Sequence, residues 1–170
     1  MASPQFKELR RAYGFDEVAI VPGDVTLNPD QTNIDFTVDK ITFALPIIAA
    51  AMDAVTDTSF AIAMSKLGGL AVLNLEGVQT RYDNPEEILA DIAQAPGDEV
   101  TSLLQKVYSQ PIKESLISKR IQEIKKGGAV CAVSVTPANT KRLAPIASEA
   151  AADILVVQST VTTAHHASRS

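Results

Sequence analysis

The sequence predicts an α/β fold in which buried parallel strands alternate with amphipathic helices. Short apolar runs of four to seven residues recur along the chain, and they are continuous instead of alternating, which is typical of strands buried on both faces of a sheet. Stretches with apolar residues at helical spacing separate these runs. Strand–helix alternation of this kind favours βαβ units and therefore a parallel sheet.

The apolar runs define four predicted strands. The third is rich in valine, a β-branched residue that favours strands. The segment before the first run shows neither pattern and is interpreted as an extended, loop-like leader. The strands are predicted at residues 45–50, 70–75, 129–135 and 154–157.

Proline, glycine and capping residues indicate the helix boundaries. Pro85 opens a helix at its first turn, with Asn84 as the N-cap. Gly68 and Gly69 end the preceding helix, because glycine readily adopts the conformation found after helix C-termini. Helices are predicted at residues 58–67, from Pro85 onward, at 97–126 with a break at Pro111, and at 139–151.

Two architectures fit this order of elements, an open doubly wound sheet and part of a (β/α)8 barrel. A complete barrel takes about 250 residues, whereas this chain has 170 residues and four predicted strands. A barrel built from it is therefore half of one. Such a half-barrel has two open sheet edges unless another chain covers them.

Composition indicates a soluble, cytoplasmic protein without nucleic-acid or membrane partners. The formal net charge of −5 disfavours polyanion binding. The longest apolar stretch, residues 44–52, is too short to span a bilayer, and residues 1–11 lack the apolar core of a signal peptide. The single cysteine, Cys131, cannot form an intrachain disulfide, so a reducing compartment is expected.

The C-terminal ends of the strands are the expected ligand-binding positions, because α/β folds bind ligands there. These ends carry mainly uncharged hydroxyl and amide groups, which suit a nucleotide or sugar better than a metal. His165 and His166 are adjacent and point apart, which disfavours chelation. Cys131 lies within an apolar run and is expected to be a buried core thiol.

Met52 and Asp53 lie just after the first predicted strand and have two interpretations each. Met52 is either a core residue or a ligand contact. Asp53 either caps a helix from Ala54 onward or belongs to a site. No Walker loop or G-x-G-x-x-G motif is present, which disfavours a Rossmann-type dinucleotide site.

Three segments resemble motifs of the IMP dehydrogenase/GMP reductase family. GFDEVAIVPG at residues 14–23 resembles the family segment TFDDVLLVPG, and LPIIAAAMDAVTD at 45–57 resembles its first-strand motif IPLVSAPMDTVTE. AIAMSKLGGLAVLN at 61–74 is similar to AIAMARLGGIGVIH, and ADILVVQST occupies the place of the fourth-strand VDVIVVDTAHG. The first three motifs occur in the family's order.

The resemblance implies the N-terminal half, about four βα units, of a TIM (β/α)8 barrel. Residues 1–44 are expected to form a leader that packs on the barrel, and residues 45–170 the partial barrel. The stretch between the second and third strands is too short for the pair of CBS modules that the family's dehydrogenases insert there. This favours a CBS-lacking, bacterial branch related to IMP dehydrogenase.

The implied chemistry is oxidation of IMP to XMP with NAD, or reduction of GMP to IMP with NADPH, through a thioimidate on a cysteine. The implied ligands are IMP, XMP or GMP with NAD or NADP, and the implied assembly is a homo-oligomer, commonly a tetramer. The direction of the reaction stays open. Cys131 does not match the catalytic cysteine, so the chain alone is expected to be inactive.

The resemblance also assigns residues to the two sides of the site. Met52 corresponds to the methionine that packs against the purine base, Asp53 is expected to anchor its loop, and Ala50 stands where the family often has a nucleotide-contacting serine. On the cofactor side, a glutamine replaces the family's aspartate and two hydroxyl residues follow it. These residues are Gln158, Ser159 and Thr160.

Two other hypotheses stay open. The chain is alternatively a non-catalytic purine-nucleotide-binding or assembly module on a half-barrel, since fold alone does not fix function. The other hypothesis is a degenerate fragment without function. A stable chain that binds purine nucleotide without turnover favours the module.

Overall fold

The structure is a computed structural model, and it describes residues 10–159. The chain divides into two compact units, Met1–Asn33 and Ile34–Ser170. In the described part of the first unit, a short 3-10 turn spans Pro29–Gln31, and the Arg11 guanidinium lies 4.8 Å from the ring centre of Tyr13. The leader boundary at residues 44 and 45 and the packing of the leader on the barrel stay predictions.

The second unit begins with an antiparallel hairpin that the sequence did not indicate. Its strands are β1 (Phe36–Val38) and β2 (Ile41–Phe43). Asp39 turns the chain at a φ of 51°, and the rings of Phe36 and Phe43 stack with their centres 4.8 Å apart. Strands of three residues are too short for an alternating pattern to be recognised.

The parallel sheet confirms the predicted fold class. Within residues 10–159 it has four strands in the order β3-β4-β5-β6, which is also their order along the chain. All three pairings are parallel. Three strands are shorter than the apolar runs that predicted them, and the last has its predicted bounds: β3 (Ile48–Ala49), β4 (Leu70–Asn74), β5 (Ala132–Val135) and β6 (Ile154–Val157).

The helices confirm the predicted pattern with small shifts in their ends. Asp57 caps the first of them by accepting a 2.6 Å hydrogen bond from the Phe60 amide, and Gly68, at a φ of +89°, follows its end. Asn84 occupies the predicted N-cap position but makes no capping hydrogen bond. The helices are α1 (Thr58–Lys66), α2 (Pro85–Gln94), α3 (Val100–Ser109), α4 (Glu114–Lys126) and α5 (Pro137–Glu149).

Helices α1, α4 and α5 cover one face of the sheet and form the main core with it. Alternate strand residues point into this core, including Leu73 and Val133, both fully buried, where they meet Ile117 and Ile121 of α4 and Leu143 of α5. Arg120 fixes the chain after β4 to α4. Its guanidinium donates to the carbonyl oxygens of residues 79, 82 and 83 at 3.0–3.4 Å.

The hairpin packs on the opposite face, near the starts of the strands. Phe43 joins a second buried cluster with Leu70, Val72 and Ala132, and Val130 and Ile154 pack against it. Because Leu70 begins β4 and Ile154 begins β6, the hairpin covers the N-terminal part of this face. The C-terminal ends of the strands are left accessible.

Candidate functional site

The C-terminal ends of the strands line one open groove of about 460 Å³, referred to below as the strand-end groove. Its size lies within the range of about 300–1,000 Å³ that is usual for small-molecule sites. Most lining groups are hydroxyls, amides and a carboxylate. The lining residues are Ala51, Asn74, Glu76, Ser134, Val135, Thr136, Gln158 and Ser159.

Two of the three predicted cofactor-side residues line this groove. Gln158 and Ser159 follow β6. The backbone N–H of Gln158 donates a 2.8 Å hydrogen bond to the backbone carbonyl of Val135, which extends the pairing of β5 and β6. Thr160 lies outside the described residues. The groove therefore contains amide and hydroxyl groups from the ends of β4, β5 and β6.

Glu76 is a groove residue that the sequence did not single out. Its carboxylate accepts hydrogen bonds from the backbone amide and hydroxyl of Thr136 and from the side-chain amide of Asn139. These donors lie at the start of α5, where the helix dipole also favours negative charge. The strand ends are thus more acidic than expected. Because its partners are about 60 residues away in sequence, no local pattern could have revealed this contact.

The predicted substrate-side residues Met52 and Asp53 line a second concavity, of about 390 Å³, which is called the helix-side pocket below. Met52 is 55% exposed, so the structure places its side chain outside the core. Ala50 is exposed just before the pocket, and its carbonyl accepts a 2.9 Å hydrogen bond from the hydroxyl of Thr56. The lining residues are Ala51, Met52, Asp53, Ala54, Asn74, Leu89, Ile92, Leu104 and Tyr108.

Asp53 joins three segments of the chain instead of capping a helix. Its Oδ2 accepts hydrogen bonds from the Tyr108 hydroxyl at 2.6 Å and from the Val78 amide at 3.0 Å. Its Oδ1 is buried beside Gly77 and has no hydrogen-bond partner among residues 10–159. The capping interpretation is wrong, because α1 begins four residues beyond Ala54 and has Asp57 as its cap.

Tyr108 is the second residue of the site that the sequence missed. Burial raises the pKa of its hydroxyl to about 12, and the hydrogen bond to Asp53 and the charge of Asp53 add to this shift. The Arg81 guanidinium, 5.9 Å from the ring centre, acts in the opposite direction. At neutral pH the phenol is therefore protonated and serves as a hydrogen-bond donor.

Cys131 lies away from both concavities. It is fully buried just before β5, at the N-terminal end of the strand, which confirms the expected core thiol. Burial raises the pKa of the thiol to about 12, and the nearby charge of Asp153 contributes in the same direction. A thiol that stays protonated at neutral pH and lies far from the groove is not placed to act as a nucleophile.

Residues 10–159 have two further features that concern other kinds of site. In this part of the chain, no three side chains of His, Cys, Asp or Glu are grouped as metal ligands would be. His165 and His166 lie outside the described residues. None of the helices found there combines the length and apolar character that crossing a bilayer takes.

Comparison with known proteins identifies the family. A protein-family model described as "IMP dehydrogenase / GMP reductase domain" matches residues 12–169. The chain belongs to the IMP dehydrogenase/GMP reductase family. This confirms the resemblance found in the three N-terminal motifs and in the fourth strand.

Individual family members show the same relationship. An uncharacterized oxidoreductase from Mycolicibacterium smegmatis is 34% identical over 160 residues, covering 91% of this chain and 43% of that protein. An inosine-5'-monophosphate dehydrogenase from Methanocaldococcus jannaschii is 39% identical over 67 residues, covering 39% of this chain and 14% of that protein. Both relatives are described as oxidoreductases or dehydrogenases, so the family is one of oxidoreductases.

A solved structure confirms the fold. The crystal structure of an IMP dehydrogenase/GMP reductase-like protein from Corynebacterium glutamicum superposes with a TM-score of 0.85 at 32% identity. The match covers 95% of this chain and 44% of that one. The chain thus spans less than half the length of the relatives that match nearly all of it. It corresponds to the N-terminal part of the family's TIM barrel.

Proposed function

We propose that this chain forms the N-terminal half of the catalytic barrel of a purine-nucleotide oxidoreductase. The reaction is either oxidation of IMP to XMP with NAD or reduction of GMP to IMP with NADPH. The observation that carries the proposal is the strand-end groove, which lies at the ligand-binding end of a family barrel and adjoins the pocket that contains Met52 and Asp53.

On the substrate side, the proposal assigns the purine nucleotide to Ala50, Met52 and Asp53. The exposed thioether of Met52 offers adaptable apolar contact to a base. Asp53 holds its loop against the residues after β4 through the Val78 amide and against α3 through Tyr108. It therefore acts on the ligand indirectly, by fixing the position of Met52.

On the cofactor side, the proposal assigns NAD or NADP to Gln158, Ser159 and Thr160. The donor set of the groove fits the hydroxyl-rich ribose of a dinucleotide, because amide and hydroxyl groups both donate and accept hydrogen bonds. The nicotinamide would supply hydride transfer. The glutamine carries no charge, in contrast to the aspartate of the resembling motif, so it contributes hydrogen bonds only.

The isolated 170-residue chain is expected to bind nucleotide without turnover, since its only cysteine is buried at the other end of β5. A non-catalytic binding module would behave in the same way. The two hypotheses separate in a complete barrel that contains this half, in which a reactive cysteine and hydride transfer are expected only for an enzyme. A cytoplasmic location and a homo-oligomer, commonly a tetramer in the resembling family, are part of the same proposal.

The first experiment is calorimetric titration of the purified chain with IMP, GMP and XMP, with CMP as the matched pyrimidine control and the solution mass recorded alongside. Saturable binding of a purine nucleotide in preference to CMP supports the proposal. Equal binding of CMP, or no binding by a folded chain of defined mass, contradicts it. Gln158→Ala should leave IMP binding intact and weaken that of NAD or NADP.

A further inference from the structure

The helix-side pocket and the strand-end groove are neighbours with different chemistry. They share Ala51 and Asn74, so a single ligand can extend from one into the other. The groove is lined by hydroxyl, amide and carboxylate groups, whereas apolar side chains dominate the pocket. Its apolar wall consists of Leu89, Ile92, Leu104 and the ring of Tyr108, contributed by α2 and α3.

We propose that α2 and α3 form one wall of the base-binding pocket, with Leu89 and Leu104 as specificity-determining residues. The ribose of the same ligand lies where the pocket meets the strand-end groove, at Ala51 and Asn74, and leaves the Gln158 end of the groove to the cofactor. This inference rests on the proposed function, in that the ligand is taken to be a purine nucleotide. A nucleoside has an apolar part and a polar part, as the two adjoining concavities do. It has a flat heteroaromatic ring at one end and hydroxyl groups at the other. Its ring would cover the exposed side chains of Met52 and Tyr108.

The wall is held in place before any ligand binds. Tyr108 is tied to Asp53, the Tyr82 hydroxyl donates a 3.1 Å hydrogen bond to the carbonyl of Val107, and the Arg81 guanidinium donates to the carbonyl of Gln110. The last turn of α3 is thus fixed to the segment that follows β4. A preformed wall loses less conformational freedom on binding, which favours affinity.

Methyl NMR of the methionines tests where the ring binds. The chain has three methionines, and Met64, on α1, serves as the internal reference beside Met52. Binding of IMP should shift the Met52 methyl resonance through the ring current and leave Met64 unchanged. Ribose 5-phosphate, which lacks the ring, should cause no such shift.

Matched variants test the helical wall. Leu104→Gln, and independently Leu89→Gln on the other helix, should weaken IMP binding by about tenfold or more, since a hydrophobic pocket discriminates at this level. Gln105→Ala, on the exposed side of α3, should bind as the parent does. Circular dichroism and the Met64 resonance show whether each variant is folded. If folded Leu104→Gln and Leu89→Gln both bind IMP with unchanged affinity, the wall is refuted.

The two proposals fail in different ways. Calorimetric binding of IMP without a Met52 shift overturns the pocket and leaves the proposed function standing. A Met52 shift with the free base hypoxanthine, combined with no preference for purine over pyrimidine nucleotides, supports the pocket and contradicts the proposed function. No response of Met52 to either IMP or hypoxanthine overturns the pocket.

Discussion

Tyr108 donates a 2.6 Å hydrogen bond from its hydroxyl to Oδ2 of Asp53, a residue 55 positions earlier in the chain. This contact connects the loop after β3 with the last turn of α3. The same carboxylate oxygen accepts the Val78 amide, so three segments that are distant in sequence meet at one atom. The geometry of the helix-side pocket depends on this junction.

Tyr108→Phe should loosen the junction while keeping the apolar ring. The variant removes one partly exposed hydrogen bond, so the free energy of unfolding should fall by about 0.5–1.5 kcal/mol. Urea denaturation followed by circular dichroism measures this loss. Tyr13→Phe is the matched control, because Tyr13 lies in the first unit and is 58% exposed. Equal losses for both variants would show that the Asp53 contact contributes nothing to stability.

Tyr108 should also be distinguishable by its titration. Its pKa is raised to about 12 in the folded chain, above the ordinary value of 10.0, so the protonated phenol is favoured by folding. This contribution to stability is complete below pH 10 and is lost as the pH rises through about 12. Phenolate absorbance should therefore show a late-titrating tyrosine that is missing in Tyr108→Phe. A Tyr108→Phe curve that keeps the late step would contradict the assignment.

Gly77 should tolerate no side chain, although its backbone angles suit any residue. A Cβ built at this position would lie 1.8 Å from Oδ1 of Asp53, so the carboxylate would have to move. Gly77→Ala is expected to destabilise the chain by about 1–3 kcal/mol, as is usual for overpacking, and to weaken the Tyr108 contact. Gly97→Ala is the control, since a Cβ built there has no atom of the described part of the chain within 4 Å apart from its immediate chain neighbours. Similar unfolding midpoints for the two variants would show that Asp53 adapts freely.

The elements that sequence predicted are those with local signals. Continuous apolar runs located the four strands, while Pro85 and Gly68 marked helix boundaries that the structure confirms. The β1–β2 hairpin escaped because three-residue strands contain no recognisable period. Asn84 was predicted to cap α2 from its residue type alone, but its φ of −115° and ψ of 82° are not extended, and its side chain does not bond the helix.

Less of the site than of the fold could be predicted from local sequence signals. The order of the strands predicted that their polar ends meet, and the resemblance assigned Gln158 and Ser159 to the cofactor side of that site. The resemblance drew attention to Met52 and Asp53. The partners that shape the site come from much farther along the chain: Tyr108 reaches Asp53 and Thr136 reaches Glu76 across 55 and 60 residues. Contacts at such separation depend on tertiary packing, which composition and periodicity do not encode.

Cys131 should be almost unreactive in the folded chain. It is fully buried and its pKa is raised to about 12, so very little thiolate exists at neutral pH. Because the ordinary thiol value is 9.0, folding favours the protonated form, and this contribution is complete below pH 9 and disappears as the pH approaches 12. Ellman's reagent should therefore label the native chain only as fast as it opens, and label it completely in urea. Rapid labelling of the native chain would instead show an accessible thiol just before β5 and restore Cys131 as a candidate nucleophile.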